Sequence, residues 1–186
     1  MKHHHETPED IRQQIWKELG RASQDRHHAW RTPVLATAAP DGGVNARTVV
    51  LRGVDEALGT LVVFTDARSP KVSELGHQPQ ALLVCWSARL NWQLRVQVQM
   101  SVATSGPQVE ALWQRVKQSA AATDYLQPVA PGTPQTGPAR HSEAPSAAHH
   151  FAVLTAKVTE MDWLELGREG HRRARVLPGS WQWLTP

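Results

Sequence analysis

Asn91-Trp92-Gln93-Leu94-Arg95-Val96-Gln97-Val98-Gln99-Met100 alternates without interruption. Trp92, Leu94, Val96, Val98 and Met100 are apolar and the residues between them are polar. A period of two held over so long a run specifies a β-strand with one face on a core. The opposite face carries glutamines and a single charge, Arg95, which suits solvent or a wet interface. This strand makes the fold mainly β, and the segments around it extend the pattern.

Before it, Ala81-Leu82-Leu83-Val84-Cys85-Trp86 is uniformly apolar and reads as a strand covered on both faces. Further back, Val34–Ala38, Val44–Arg52 and Thr60–Thr65 are short β-rich runs, with Asp41-Gly42-Gly43 supplying a hairpin turn between the first two. After it, Phe151–Val158 and Arg172–Leu177 read as two further strands, and Trp181-Gln182-Trp183-Leu184 closes the chain.

Three helices punctuate these strands. Thr7-Pro8-Glu9-Asp10 offers an N-cap, a first-turn proline and an acidic third residue. Ile11, Ile15, Trp16 and Leu19 follow at helical spacing, which predicts a helix ending near Gly20. Ser69-Pro70 starts a second, short helix with Val72 and Leu75 buried and Lys71, Ser73 and Glu74 wet. Pro107–Lys117 is the third, with Val109, Leu112, Trp113 and Val116 on one side. Pro128–His150 is dense in Pro, Gly, Ser and Ala and reads as a surface loop or a lid. Many short strands with peripheral helices predict a single antiparallel β-barrel domain over residues 1–186, its first 30 residues helical.

Composition narrows the function classes. Lys plus Arg number 20 against 17 Asp plus Glu, a net charge of +3 without a basic stripe, which points away from nucleic acid. No run approaches a membrane span. Cys85 is the single cysteine and lies in an apolar run, so it is expected as a buried thiol in a cytoplasmic protein. His3-His4-His5, His27-His28 and His149-His150 are expected to be solvated, and no metal site is predicted. Dinucleotide-binding, phosphate-loop and nucleophile-elbow motifs do not occur.

What remains is a set of cations and hydroxyls at strand ends. Arg47-Thr48-Val49-Val50-Leu51-Arg52 is a run with a guanidinium at each end, and Thr65-Asp66-Ala67-Arg68-Ser69-Pro70-Lys71 leads from a strand into a helix N-terminus. Free N–H groups of a first turn, the hydroxyls of Thr65 and Ser69 and the cations of Arg68 or Lys71 together favour a phosphate, and Arg47 adds bidentate geometry. Positions 47 and 52 face opposite sides of a regular strand, so both reach one ligand only across a bulge or a strand end near Arg52.

In this order and spacing, Arg47–Arg52, Phe64-Thr65, Ser69-Pro70-Lys71, Gln93 and Arg172–Arg175 resemble the pyridoxamine 5'-phosphate oxidase family of FMN-binding split barrels, over about residues 32–186. The resemblance implies that FMN is the cofactor, with Arg47, Thr65 and Lys71 on its phosphate and Phe64, Arg68 and Ser69 around them. It also implies that the backbone of Thr48, Val49, Val50 and Leu51 lies along the flavin, and that Gln93 and Arg175 reach it from the second subunit of a homodimer. Arg52 or Arg175 would stabilise the reduced ring.

The resemblance is weakest at the substrate end. Pro70 stands where the family has a phosphate-binding arginine, and Leu164, beside Trp163, stands where it has a flavin-packing tryptophan. His171-Arg172-Arg173 replaces its Arg-Leu-His, and its Tyr, Arg and Ser that clamp the substrate phosphate have no counterparts in Trp113–Tyr125. An FMN-dependent oxidoreductase with an unassigned small-molecule substrate is the expectation. The alternatives are a non-catalytic barrel that stores or senses a flavin or haem, and an interaction module without a cofactor.

Overall fold

The computed structural model describes residues 7–137 and 148–186. His3-His4-His5 and the middle of the Pro128–His150 segment lie outside the described residues.

The chain runs α1 (Pro8–Gln24), β1 (Val34–Ala38), β2 (Val44–Thr48), β3 (Leu51–Asp55), β4 (Thr60–Asp66), α2 (Pro70–His77), β5 (Gln80–Ser87), β6 (Trp92–Ala103) and α3 (Pro107–Val116). A 3-10 turn over Ala120–Tyr125 then leads to β7 (Phe151–Glu165), β8 (Arg172–Leu177) and β9 (Ser180–Leu184). Every pairing is antiparallel, in the order β2-β1-β5-β6-β7-β4-β3, with β8 on β7 and β9 on β8. The strands at the two ends of that path, β2 and β3, are separated in sequence only by Val49 and Val50. The Val49 amide donates to Pro33 and the Leu51 amide to Arg31. The sheet therefore closes on itself, and the chain is an antiparallel barrel with peripheral helices, as expected.

Closure depends on breaking the expected Val44–Arg52 strand. It ends at Thr48, restarts at Leu51 and shifts register between Leu51 and Gly53, which leaves Arg52 as the extra residue of a bulge. β6 keeps its alternation: Trp92, Leu94, Val96, Val98 and Met100 are all buried. β7 runs on to Glu165, well past the expected Val158. Met161 and Trp163 continue the buried face there, while Glu160 and Asp162 alternate with them and pair with arginines of β6 and β8.

α1 follows the sequence reading at its start, where the Thr7 hydroxyl accepts from the Asp10 amide and Asp10 accepts from the Thr7 amide. It continues past Gly20 because Ala22 and Ser23 are buried and Arg31 donates to both their carbonyls, satisfying the helix end. Ile11, Ile15, Leu19 and Ala22 join the barrel core. Burying four such side chains contributes several kcal/mol, at about 1.5–3 kcal/mol for each large one.

Four expectations are corrected. Glu74 is buried, not wet. Trp86 is 45% exposed, so β5 is covered on one face only within the protomer. His28 is not solvated: its side chain is 6% exposed and its Nε2 lies 2.7 Å from the buried Glu18 carboxylate. Its Nδ1 accepts from the Trp30 amide, so Nε2 carries the proton that Glu18 receives. His149 stacks on Trp113 with ring centres 4.5 Å apart, in a second cluster that includes Tyr125 and Phe151. Cys85 is buried as expected, and burial pushes its thiol up to about 12.

Candidate functional site

β4 ends at the mouth of the barrel and turns into α2. Pro70 fixes the first helical residue. Ser69 occupies the N-cap position, yet its hydroxyl makes no capping bond and instead lies 3.1 Å from the Thr65 hydroxyl. One residue into the helix, Lys71 places Nζ 3.0 Å from Thr65 Oγ1 and 3.1 Å from Ser69 Oγ. Thr65 and Ser69 are buried and Lys71 is half-buried.

No carboxylate among the described residues pairs with this ammonium. Burial pushes the Lys71 pKa below the ordinary lysine value, and the nearby Arg47 cation depresses it further. Asp66 and Glu74 act on it only from a distance, and a partly desolvated cation bonded to hydroxyls beside a second cation is a favourable place for an anion. A phosphate would supply the missing charge and accept from Lys71, Ser69 and Thr65 together.

Arg47 reaches the same region from β2. It donates to Glu74 Oε2 at 2.9 Å and to the Thr37 hydroxyl. Glu74 lies three residues after Lys71, hence on the same face of α2. Its carboxylate also accepts from Thr37 at 2.5 Å and from Asn45 at 2.6 Å. Burial alone would raise the Glu74 pKa, but the hydrogen bonds from Thr37 and Asn45 and the Arg47 charge outweigh it and hold the acid below its ordinary value. The sequence reading missed Glu74, Thr37 and Asn45. The spacing of Lys71 and Glu74 was the available signal, because it puts both on one helical face.

The structure therefore gathers Arg47, Thr65, Ser69 and Lys71. The other expected residues have different partners within the protomer. Arg68 is spent on Asp66, with Nη2 2.7 Å from Oδ2, and on the carbonyls of Gln127 and Pro128. Arg52, at the bulge, lies 5.8 Å from the centre of the Phe64 ring. Thr48 ends β2, while Val49, Val50 and Leu51 form the break between strands. Gln93 pairs across the sheet with Trp86 and Leu164. Arg175 lies 3.2 Å from Glu160, next to the Arg173–Asp162 and Arg172–Glu165 pairs. Trp163 is fully buried against Trp92 and Trp181. Trp113 and Tyr125 are buried in the second cluster with Phe151.

Residues 13–104 match the family described as pyridoxamine 5'-phosphate oxidase, FMN-binding domain. Over nearly its whole length the chain superposes on a pyridoxamine 5'-phosphate oxidase-related FMN-binding protein of Nostoc punctiforme. The TM-score is 0.75 at 25% identity, covering 97% of this chain and 98% of that one. Residues 13–104 thus match the pyridoxamine 5'-phosphate oxidase family of FMN-binding domains, and the chain as a whole shares the fold of its FMN-binding relative. FMN is the cofactor of the matched domain.

The likeness to named oxidases is shorter. A pyridoxine/pyridoxamine 5'-phosphate oxidase of Trichormus variabilis is 45% identical over 62 residues, which is 33% of this chain and 28% of that protein. The second oxidase of that name in Arabidopsis thaliana is 36% identical over 107 residues, 55% of this chain and 54% of that protein. The chain thus aligns with about a quarter to a half of these oxidases. Among the described residues no group of His, Cys, Asp and Glu could hold a metal, and no helix is long and apolar enough to cross a membrane.

Proposed function

We propose that the protein is an FMN-dependent oxidoreductase that works as a homodimer on a small organic substrate other than pyridoxamine phosphate. The observation that carries this reading is the Lys71 ammonium, held by Thr65 and Ser69 without a carboxylate partner. Those three residues and Arg47 would hold the FMN phosphate. Arg47 is pre-oriented for it by Glu74, so little side-chain entropy is lost on binding.

FMN supplies hydride and electron acceptance at its ring. The residues of this chain bind and orient it. Arg52 has no carboxylate partner among the described residues, which suits it to stabilise negative charge on a reduced ring. Arg175 is the weaker candidate for that role because Glu160 already balances its charge. The backbone of Thr48–Leu51 is free of regular strand pairing at its centre, consistent with a flat ligand lying along it.

Dimerisation is supported by the outer face of the barrel. Val34, Val84, Arg95, Asp162 and Arg175 form one row across the strands, and Trp86 and Gln93 form the next pair on that face. Val34 is 40% exposed and Trp86 45%, side by side with half-buried Val84. Exposed apolar area of this kind beside polar residues is the composition of an interface. Gln93 and Arg175 stand on this face, where a partner's flavin would meet them. Trp113 and Tyr125 are buried in the second cluster, and the absence of the family's polar clamp from the sequence of this segment favours a substrate other than pyridoxamine phosphate.

The test is anaerobic spectroscopy of the FMN-loaded protein with a panel of small organic and nicotinamide donors, followed by oxygen consumption. Bleaching of the flavin by at least one donor and its recovery with oxygen support the reading. A bound flavin that no donor reduces contradicts it and leaves a storage or sensing protein.

A further inference from the structure

We infer that a second cleft, at the end of the barrel where α1 meets the β7–β8 loop, binds a small organic polyanion such as a polycarboxylate or a phosphorylated metabolite. It is an open cleft of about 1040 Å³ and shares no residue with the Arg47, Thr65, Ser69 and Lys71 cluster. That volume is ample for a metabolite.

Charge decides the class of ligand. Five Lys or Arg side chains line the cleft against three Glu, a surplus of two. Two of the acids are already committed. Glu18 is buried and accepts from Gln14, Arg21, His28 and Arg89. Glu165 accepts from Trp92 Nε1 and Arg172.

The cations are less fully used. Arg21 and Arg89 have side chains 52% and 62% exposed, and each gives a single bond to Glu18 out of five guanidinium N–H groups. Lys17 and Arg168 have no carboxylate partner among the described residues, and both are exposed on the walls of the cleft. Glu18 therefore serves as a buried anchor that gathers arginines of α1 and the β5–β6 turn without cancelling them.

The far wall has a fixed shape. A Cβ on Gly167 would lie 2.3 Å from the Gly170 carbonyl oxygen, and Gly170 itself has φ +134°, so this turn keeps its tight path only with glycine at both positions. Arg168 and His171 stand on that turn and line the same cleft as Lys17 and Arg21 of α1. Apolar Leu90 and Leu166 complete the lining and suit the carbon frame of the ligand.

The test is calorimetric titration of protein saturated with FMN, using citrate and inorganic pyrophosphate as probes. Excess FMN fills the Lys71 cluster, so any remaining anion site is a different one. The inference predicts saturable binding of at least one probe, with one site per chain. It also predicts a tenfold or greater loss of affinity in Lys17→Gln/Arg168→Gln, whose exposed positions leave thermal stability unchanged. Tighter citrate binding assigns a polycarboxylate, and tighter pyrophosphate binding a phosphorylated ligand. Absence of saturable binding by both probes, or equal affinity in the double variant, overturns the inference. Neither result depends on whether Lys71 holds FMN, which Lys71→Ala reads separately.

Discussion

The buried Glu74 carboxylate of α2 holds the Arg47 guanidinium of β2 at 2.9 Å, near enough to the Lys71 ammonium to depress its pKa. An acid beside the proposed phosphate site is counter-intuitive, but a positional role accounts for it. It restrains a long flexible cation and fastens a helix to the edge of the barrel, since Thr37 and Asn45 of β1 and β2 bond to the same carboxylate.

That arrangement makes stability depend on acid. Glu74 and Glu18 both titrate below the ordinary carboxylate value in the fold, because donated hydrogen bonds and arginine charges outweigh the cost of burial. A depressed folded pKa contributes stability that is complete above the unfolded value and is lost as pH falls through the folded one. Urea unfolding between about pH 6 and pH 3 is expected to show a steep loss, flattened in Glu74→Gln. At neutral pH that variant should be about 1–3 kcal/mol less stable, since it leaves Arg47 without a charge partner in a partly screened site. An identical pH slope in the variant would show that Glu74 is not linked to folding.

FMN affinity should depend on alkaline pH with the opposite sign. Burial, and then Arg47, depress the Lys71 pKa in the free protein, and a bound phosphate would raise it again. Binding then takes up a proton, so affinity is full below the free-protein pKa and falls as pH rises through it. The fall should begin below the ordinary lysine range. Lys71→Arg, which stays charged, should lose it. Fluorescence titrations with FMN across that range check this, and an equal fall in the arginine variant would assign it to another group.

The outer face should carry the assembly. Trp86→Glu places a charge in the apolar patch formed with Val34 and Val84 and leaves the buried face of β5 untouched. Sedimentation is expected to shift from two copies to one while far-ultraviolet circular dichroism stays the same. FMN affinity should drop tenfold or more, because Gln93 and Arg175 of a second copy would no longer be supplied. A variant that remains dimeric would move the interface elsewhere.

Much of the barrel was legible because alternation is a direct record of which side faces a core, as β6 shows from Trp92 to Met100. The break at Val49-Val50 was less so, because those β-branched residues favour a strand and only the pairing of β3 with β4 reveals that the chain must turn. β7 looked too short for a related reason: Glu160 and Asp162 read as polar loop until the arginines of β6 and β8 are placed beside them.

At the site, Thr65, Ser69 and Lys71 were readable from a strand end running into a helix start. Their neighbour Glu74 was not, since an acid on a short helix looks like solvated surface until Arg47 arrives from 27 residues away in the chain. Arg68 is a different case. It has the right charge and place in sequence, and Asp66, two residues before it, claims it.

The central claim is that Arg47, Thr65, Ser69 and Lys71 hold the FMN phosphate. The most direct measurement compares FMN with riboflavin, which lacks that phosphate, by calorimetry on the natural protein and on Arg47→Ala/Lys71→Ala. The account predicts that the natural protein prefers FMN by a hundredfold or more and that the double variant, still folded by circular dichroism, retains little of that preference. An undiminished preference for FMN in the double variant would contradict it.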